Sequence, residues 1–147
     1  MRFQTQSSAD TKKIAADMAV NFSKAPIGTQ AVVIALQGDL GAGKTTFTQG
    51  FATGLGIIDA ITSPTFVLMK QYPLTAGQFT KLVHIDCYRL NKAQELVALG
   101  FQELLTEPQT IIMLEWPERV SELLPKDAIW IKIDHTGNDT RTLEITP

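Results

Sequence analysis

Cysteine is nearly absent. Cys87 is the only one in 147 residues, which excludes an internal disulfide and a cysteine cage around a metal. That side chain is left as a reactive thiol or a small buried hydrophobe, and burial is the commoner fate. The histidines, His84 and His135, are too few and too far apart for a metal-site argument, so each is expected to be a satisfied structural residue. Long apolar runs are missing too: none reaches the roughly 18 residues of a membrane helix. The N-terminus, Met1-Arg2-Phe3-Gln4-Thr5, lacks the apolar stretch of a signal peptide. A soluble, cytoplasmic chain is expected. Net positive charge is also lacking: the formal charge is −2 and the basic residues are scattered. The chain therefore carries no footprint for gripping nucleic acid unaided, and any nucleic acid would be held by a partner. No repeat, low-complexity tract or linker interrupts it. With 44% hydrophobic residues, residues 1–147 can fill one substantial core and are expected to form a single domain.

What is present centres on Gly38-Asp39-Leu40-Gly41-Ala42-Gly43-Lys44-Thr45, which fits the G-x-x-x-x-G-K-[ST] pattern. It follows the apolar run Ala31 to Leu36, the strand–turn–helix context the motif requires. By chance the bare pattern should occur in on the order of one chain in a few hundred of this length. The glycines let the backbone curl until several N–H groups converge, and a helix starting near Lys44 adds the positive end of its dipole. Lys44 would reach the β- and γ-phosphates of a nucleotide. The Thr45 hydroxyl would be an inner ligand of Mg²⁺. Asp39, inside the loop, is expected to shape the turn.

Before the loop, Ser7-Ser8-Ala9-Asp10 offers N-cap residues, and Ile14, Met18 and Phe22 then mark one face of a helix ending before Pro26. After it, Phe47, Phe51 and Leu55 mark a helix closed by Gly54 and Gly56. Phe66 to Tyr72 and Phe79 to Ile85 read as a hairpin, so at least part of the sheet is antiparallel. Short helical pieces are expected over Ala93 to Leu99 and Gln102 to Leu105. Thr110 to Leu114 is apolar throughout, as a parallel strand covered on both faces must be, and ends on Glu115. A short helix is expected over Pro117 to Leu124. Ile129 to Ile133 and Thr140 to Thr146 alternate as a second hairpin around Gly137-Asn138.

In open α/β sheets ligands sit beyond the carboxyl ends of the parallel strands, and three carboxylates are candidates for that rim: Glu115, Asp86 and, within the loop, Asp39, which is expected to shape the turn rather than touch metal. Glu115 stands where phosphate-loop proteins carry the acid that holds Mg²⁺; its alternative is to cap the helix begun by Pro117. Asp86 closes its strand and could orient water or serve the metal, or it could simply begin the next turn. Arg89 could orient Asp86, face phosphate, or form a surface ion pair. Ser63-Pro64-Thr65-Phe66 lies where switch segments sense the γ-phosphate, with a plain capping turn as the competing account. Trp116 could stack on a ligand or partner, or belong to the core. Asn91-Lys92-Ala93-Gln94 has an amide where a guanine reader needs a carboxylate, so ATP is favoured over GTP.

These pieces resemble the TsaE (YjeE) family, the bacterial ATPases of the machinery that makes N6-threonylcarbamoyladenosine in tRNA. The resemblance rests on Gly38 to Phe47, Ser63-Pro64-Thr65-Phe66, His84-Ile85-Asp86-Cys87-Tyr88-Arg89-Leu90 and Leu114-Glu115-Trp116-Pro117-Glu118, in the family's order and spacing. It covers the chain from about Ser7 to Thr146. Cys87 departs from it, where a larger apolar residue is expected, and Glu118-Arg119 shows local variation. The resemblance implies a three-layer α/β phosphate-loop NTPase fold with a mixed parallel and antiparallel sheet. It implies ATP and Mg²⁺ as cofactors and Lys44, Asp86 and Glu115 as the catalytic residues, with Thr45 and Glu115 on the metal and Asp86 near the γ-phosphate. Nucleotide contacts are implied from Ser8, from the loop residues Asp39, Leu40, Gly41, Ala42, Gly43, Lys44, Thr45 and Thr46, and from Arg141 by the last hairpin. The implied partners are TsaD-like and TsaB-like proteins, with tRNA reached only through them. The alternatives are a small-metabolite kinase, which usually needs more arginines than Arg2, Arg89, Arg119 and Arg141, and an ATP-dependent binding module with incidental hydrolysis.

Overall fold

A computed structural model describes residues 1–62 and 68–146. Seven strands form one sheet in the order β1-β7-β6-β2-β5-β4-β3. Its centre is parallel: β6 (Ile129–His135), β2 (Val32–Gln37), β5 (Thr110–Glu115) and β4 (Lys81–Asp86) run together. The flanks are antiparallel, with β7 (Arg141–Thr146) and then β1 (Arg2–Thr5) on one side and β3 (Met69–Pro73) on the other. Both expected hairpins and the mixed sheet are therefore present. Pro73 is tolerated because β3 is an edge strand, where a missing N–H breaks no ladder.

Every buried strand places alternate side chains on opposite faces, and the two faces have separate cores. Ile34, Leu36, Leu82, Ile111, Met113, Ile131 and Ile133 meet α1 (Ser8–Lys24) and α2 (Lys44–Gly54) through Ala15, Ala19, Phe47 and Phe51. Val33, Val83, Ile85, Ile112 and Leu114 meet α3 (Ala93–Ala98) and α4 (Phe101–Leu104) through Leu96, Phe101 and Leu104. The result is a three-layer α/β/α arrangement. The central strands are apolar on both sides because both sides are covered.

Helix α1 starts at the N-cap Ser7, whose side chain accepts from the Asp10 N–H at 3.1 Å. It packs unusually close to α2. Gly50 and Gly54 abut the Lys12 and Ala16 backbone, leaving no space for a side chain. The short helices break at Gly100, which has φ +90°, as its place in the sequence suggests.

Two elements differ from expectation. Pro117 to Leu124 is two 3-10 turns, Pro117–Arg119 and Ser121–Leu123, rather than one helix. The chain leaves helical geometry at Val120 (φ −134°, ψ 25°), whose side chain is fully buried. The strand β1 was not expected. Only four residues long, it gains its hydrogen bonds from β7, a partner more than 130 residues away in sequence that no local pattern announces.

Candidate functional site

The phosphate loop joins the end of β2 to the start of α2. Gly41 (φ +77°) and Gly43 (φ +108°) adopt backbone conformations that a side chain would strain. Gly38 is required for a different reason: a Cβ there would stand 2.7 Å from the Ile133 carbonyl oxygen. The curl is closed by the Ala42 N–H, which donates to the Asp39 carbonyl at 3.0 Å. Arg141, at the start of β7, braces it by donating Nε–H to the Ala42 carbonyl at 2.8 Å.

Lys44 is the first residue of α2. Its ammonium donates to the Gly38 carbonyl at 2.5 Å and the Asp39 carbonyl at 3.0 Å, and lies 4.3 Å from the centre of the Trp116 ring. Burial lowers its pKa from the ordinary lysine value; Glu115, then Asp86, Glu118 and Asp39, partly oppose that shift.

The carboxylates come from the neighbouring strands. Asp86 and Glu115 are direct partners across β4 and β5, so both point to the α2 face, and both are buried. Asp86 Oδ1 accepts from the Tyr88 N–H at 2.9 Å, so the acid also begins the following turn. Glu115 does not cap the turn after it, which has no side-chain cap. Its Oε2 instead lies 2.5 Å from Nε2 of His84. Trp116 then takes φ +59°, and its ring packs tilted against Tyr88 at 5.0 Å between centroids.

Loop, strand-end acids and aromatic pair meet around a cavity of about 360 Å³. Leu40, Gly41, Gly43, Lys44, Thr45 and Thr46 form its floor, with Asp86, Glu115 and Arg141 on the walls. Ser8 lies on a smaller adjoining cleft with Thr11, Gly43, Thr46, Asp139 and Arg141. Asp39 and Ala42 contribute backbone carbonyls to the loop rather than cavity surface. Ser63-Pro64-Thr65-Phe66 lies outside the described residues.

Sequence reasoning missed three things. His84, expected to be satisfied, bonds Glu115 through Nε2, while its Nδ1 has no partner among the described residues. Tyr88 joins Trp116 on the cavity wall, a signal available only in the Tyr that follows Asp86 by two. Thr11, one turn beyond Ser8, shares the adjoining cleft. Cys87, in contrast, is fully buried as expected, and burial pushes its thiol up to about 12.

The chain is similar to known proteins over most of its length. The family model described as "Threonylcarbamoyl adenosine biosynthesis protein TsaE" matches residues 5–143. The tRNA threonylcarbamoyladenosine biosynthesis protein TsaE of Bacillus subtilis is 37% identical over 146 residues, 99% of this chain and 85% of that one. Its counterpart of the same name in Streptomyces coelicolor is 40% identical over 109 residues, 74% of this chain and 72% of that one. The crystal structure of Bacillus subtilis YdiB superposes with a TM-score of 0.75 at 34% identity, covering 97% of this chain and 82% of that one. With its phosphate loop, its paired strand-end acids and a match over nearly its whole length, the chain belongs to the TsaE family.

Proposed function

We propose that the protein binds and hydrolyses ATP with Mg²⁺, and that it does so as a component of tRNA N6-threonylcarbamoyladenosine biosynthesis. The observation that carries this reading is the convergence of Lys44, Thr45, Asp86 and Glu115 on one cavity floored by a glycine loop. The names of its relatives supply the pathway.

The donor set fits Mg²⁺. Among the described residues no group of three or more His, Cys, Asp or Glu could hold a metal, and Mg²⁺ is commonly held by one or two protein oxygens plus substrate phosphates. Thr45 and Glu115 would supply those oxygens. When bound, the ion neutralises charge developing on the transferred phosphoryl group. Lys44 and the loop N–H groups would clamp the triphosphate, and Asp86 would orient the attacking water. Arg141 already donates to the Ala42 and Thr140 carbonyls. Turnover by the chain alone should be slow, because its sequence supplies no clear extra cation for the transferring phosphoryl group.

Partners resembling TsaB and TsaD complete the reading, with this chain acting on their complex rather than transferring the threonylcarbamoyl group. A net charge of −2 fits tRNA being held by them. Lys44→Ala should abolish hydrolysis, and adding TsaB and TsaD should raise the wild-type rate. No hydrolysis by the wild type with or without those partners would overturn the reading. Counting ATP consumed per modified tRNA in the reconstituted system separates obligatory turnover from incidental hydrolysis.

A further inference from the structure

His84 sits on β4 two residues before Asp86, and the strand's alternation turns both side chains to the face where Glu115 stands. It is fully buried, and its Nε2 meets Glu115 Oε2 at 2.5 Å. A carboxylate oxygen accepts hydrogen bonds, which makes Nε2 the donor in this contact. Nδ1 is buried with no hydrogen-bond partner among the described residues, so the contact through Nε2 is the one that ties the ring to a neighbour, and that neighbour is Glu115.

Glu115 has a flexible side chain at the last position of its strand, with two torsions between Cβ and the carboxyl group that β5 itself does not fix. A single buried donor at short range fixes which oxygen is occupied and which way the group faces. Outer hydrogen bonds of this kind commonly orient metal-binding carboxylates, and their loss typically costs about 10–100-fold in metal affinity or activity.

We propose that His84 is a positioning residue for Glu115. Its Nε2–H holds Oε2 and turns Oε1 toward the cavity, where the carboxylate serves Mg²⁺. This inference rests on the Mg–ATP reading above, and its test separates the two.

The probe is a fluorescent ATP analogue titrated against wild type, Glu115→Gln, His84→Leu and His84→Gln, with increasing Mg²⁺ and again in EDTA. For His84→Leu, the Mg²⁺ concentration giving half-maximal tightening should rise roughly 10–100-fold, with EDTA binding unchanged. The glutamine, which keeps an N–H donor, should recover part of the loss. If Mg²⁺ fails to tighten binding even to the wild type, the Mg–ATP reading falls and this inference with it. If Glu115→Gln loses the Mg²⁺ effect while His84→Leu keeps it, or if His84→Leu weakens binding equally in EDTA, the inference alone falls. Nitrogen-15 spectra of the wild-type imidazole decide independently of any variant's folding: hydrogen on Nε2 supports the proposal, and hydrogen on Nδ1 alone overturns it.

Discussion

The Lys44 ammonium stands 4.3 Å from the centre of the Trp116 ring while donating to two carbonyls of its own loop. A cation at this range interacts with the ring quadrupole, so the indole should sense where the lysine points. On the Mg–ATP reading, a bound triphosphate would compete for that ammonium. Adding Mg–ATP should therefore change tryptophan emission, and most of the change should vanish in Trp116→Phe but survive in Trp130→Phe. Equal loss in both variants would dissociate the signal from Lys44.

The same ammonium gives a pH signature. Its pKa is lowered in the folded state, chiefly by burial, so between that value and the ordinary lysine value the unfolded chain binds more protons. Stability must then rise with pH across the window. Lys44→Met removes the group at similar volume. In urea denaturation, wild type should gain stability relative to Lys44→Met as the pH climbs from 7 toward about 10, the ordinary lysine pKa. A lysine held mainly by its acidic neighbours would give the opposite slope.

Asp86 and Glu115 are register partners, yet they should fail differently when altered. Asp86→Asn keeps an oxygen to accept from the Tyr88 N–H, so the turn survives. It should bind Mg–ATP within a few-fold of wild type and lose about 10²–10⁴-fold in turnover, the usual contribution of a positioned base. Single-turnover hydrolysis measured beside equilibrium binding checks this, and a matching loss of affinity would move Asp86 from water to metal.

Much of this site could be read along the chain because its signals are local. The loop pattern, the apolar strand before it and the acid closing each of β4 and β5 are contiguous signals, and the apolar runs that precede Asp86 and Glu115 are enough to put both on strand ends. The contacts between segments were less legible. His84 and Glu115 meet only because β4 and β5 are in register, and β1 exists only because β7 lies beside it. The 3-10 turns after Trp116 also follow from tertiary demand, with Val120 buried at the cost of helical geometry.

Cys87 follows Asp86 yet points away from the cavity, into the core beneath α3 and α4. With its thiol pushed up to about 12, it stays protonated at pH 8, and the thiolate is the nucleophile. Alkylation by iodoacetamide at pH 8 should be negligible in the folded protein and should appear with urea in step with global unfolding. Because the shift is upward, its stabilising contribution holds below the ordinary thiol range and is lost as pH climbs toward about 12. Rapid labelling without denaturant would refute the buried assignment.

Gly50 and Gly54 set the spacing between α1 and α2, and their replacement should reverse the usual helix rule. In an exposed helix, Gly→Ala gains about 1 kcal/mol. Here a Cβ on Gly50 would lie 2.5 Å from both Cα and the carbonyl oxygen of Lys12, and one on Gly54 would lie 2.4 Å from the Ala16 carbonyl oxygen. These neighbours are backbone atoms of a 17-residue helix, so relief requires moving α1 as a body. Overpacking of this kind costs about 1–3 kcal/mol, which outweighs the gain in propensity. Urea denaturation should show both variants destabilised, while Gly28→Ala, whose Cβ would meet nothing within 4 Å, should change stability by no more than about 0.5 kcal/mol. The displacement should also reach the site, since α1 carries Ser8 and Thr11 to the cleft shared with Gly43 and Thr46. Nucleotide affinity should therefore fall in Gly50→Ala but not in Gly28→Ala. Unaltered affinity in a clearly destabilised Gly50→Ala would mean that α1 holds the fold without shaping the nucleotide cleft.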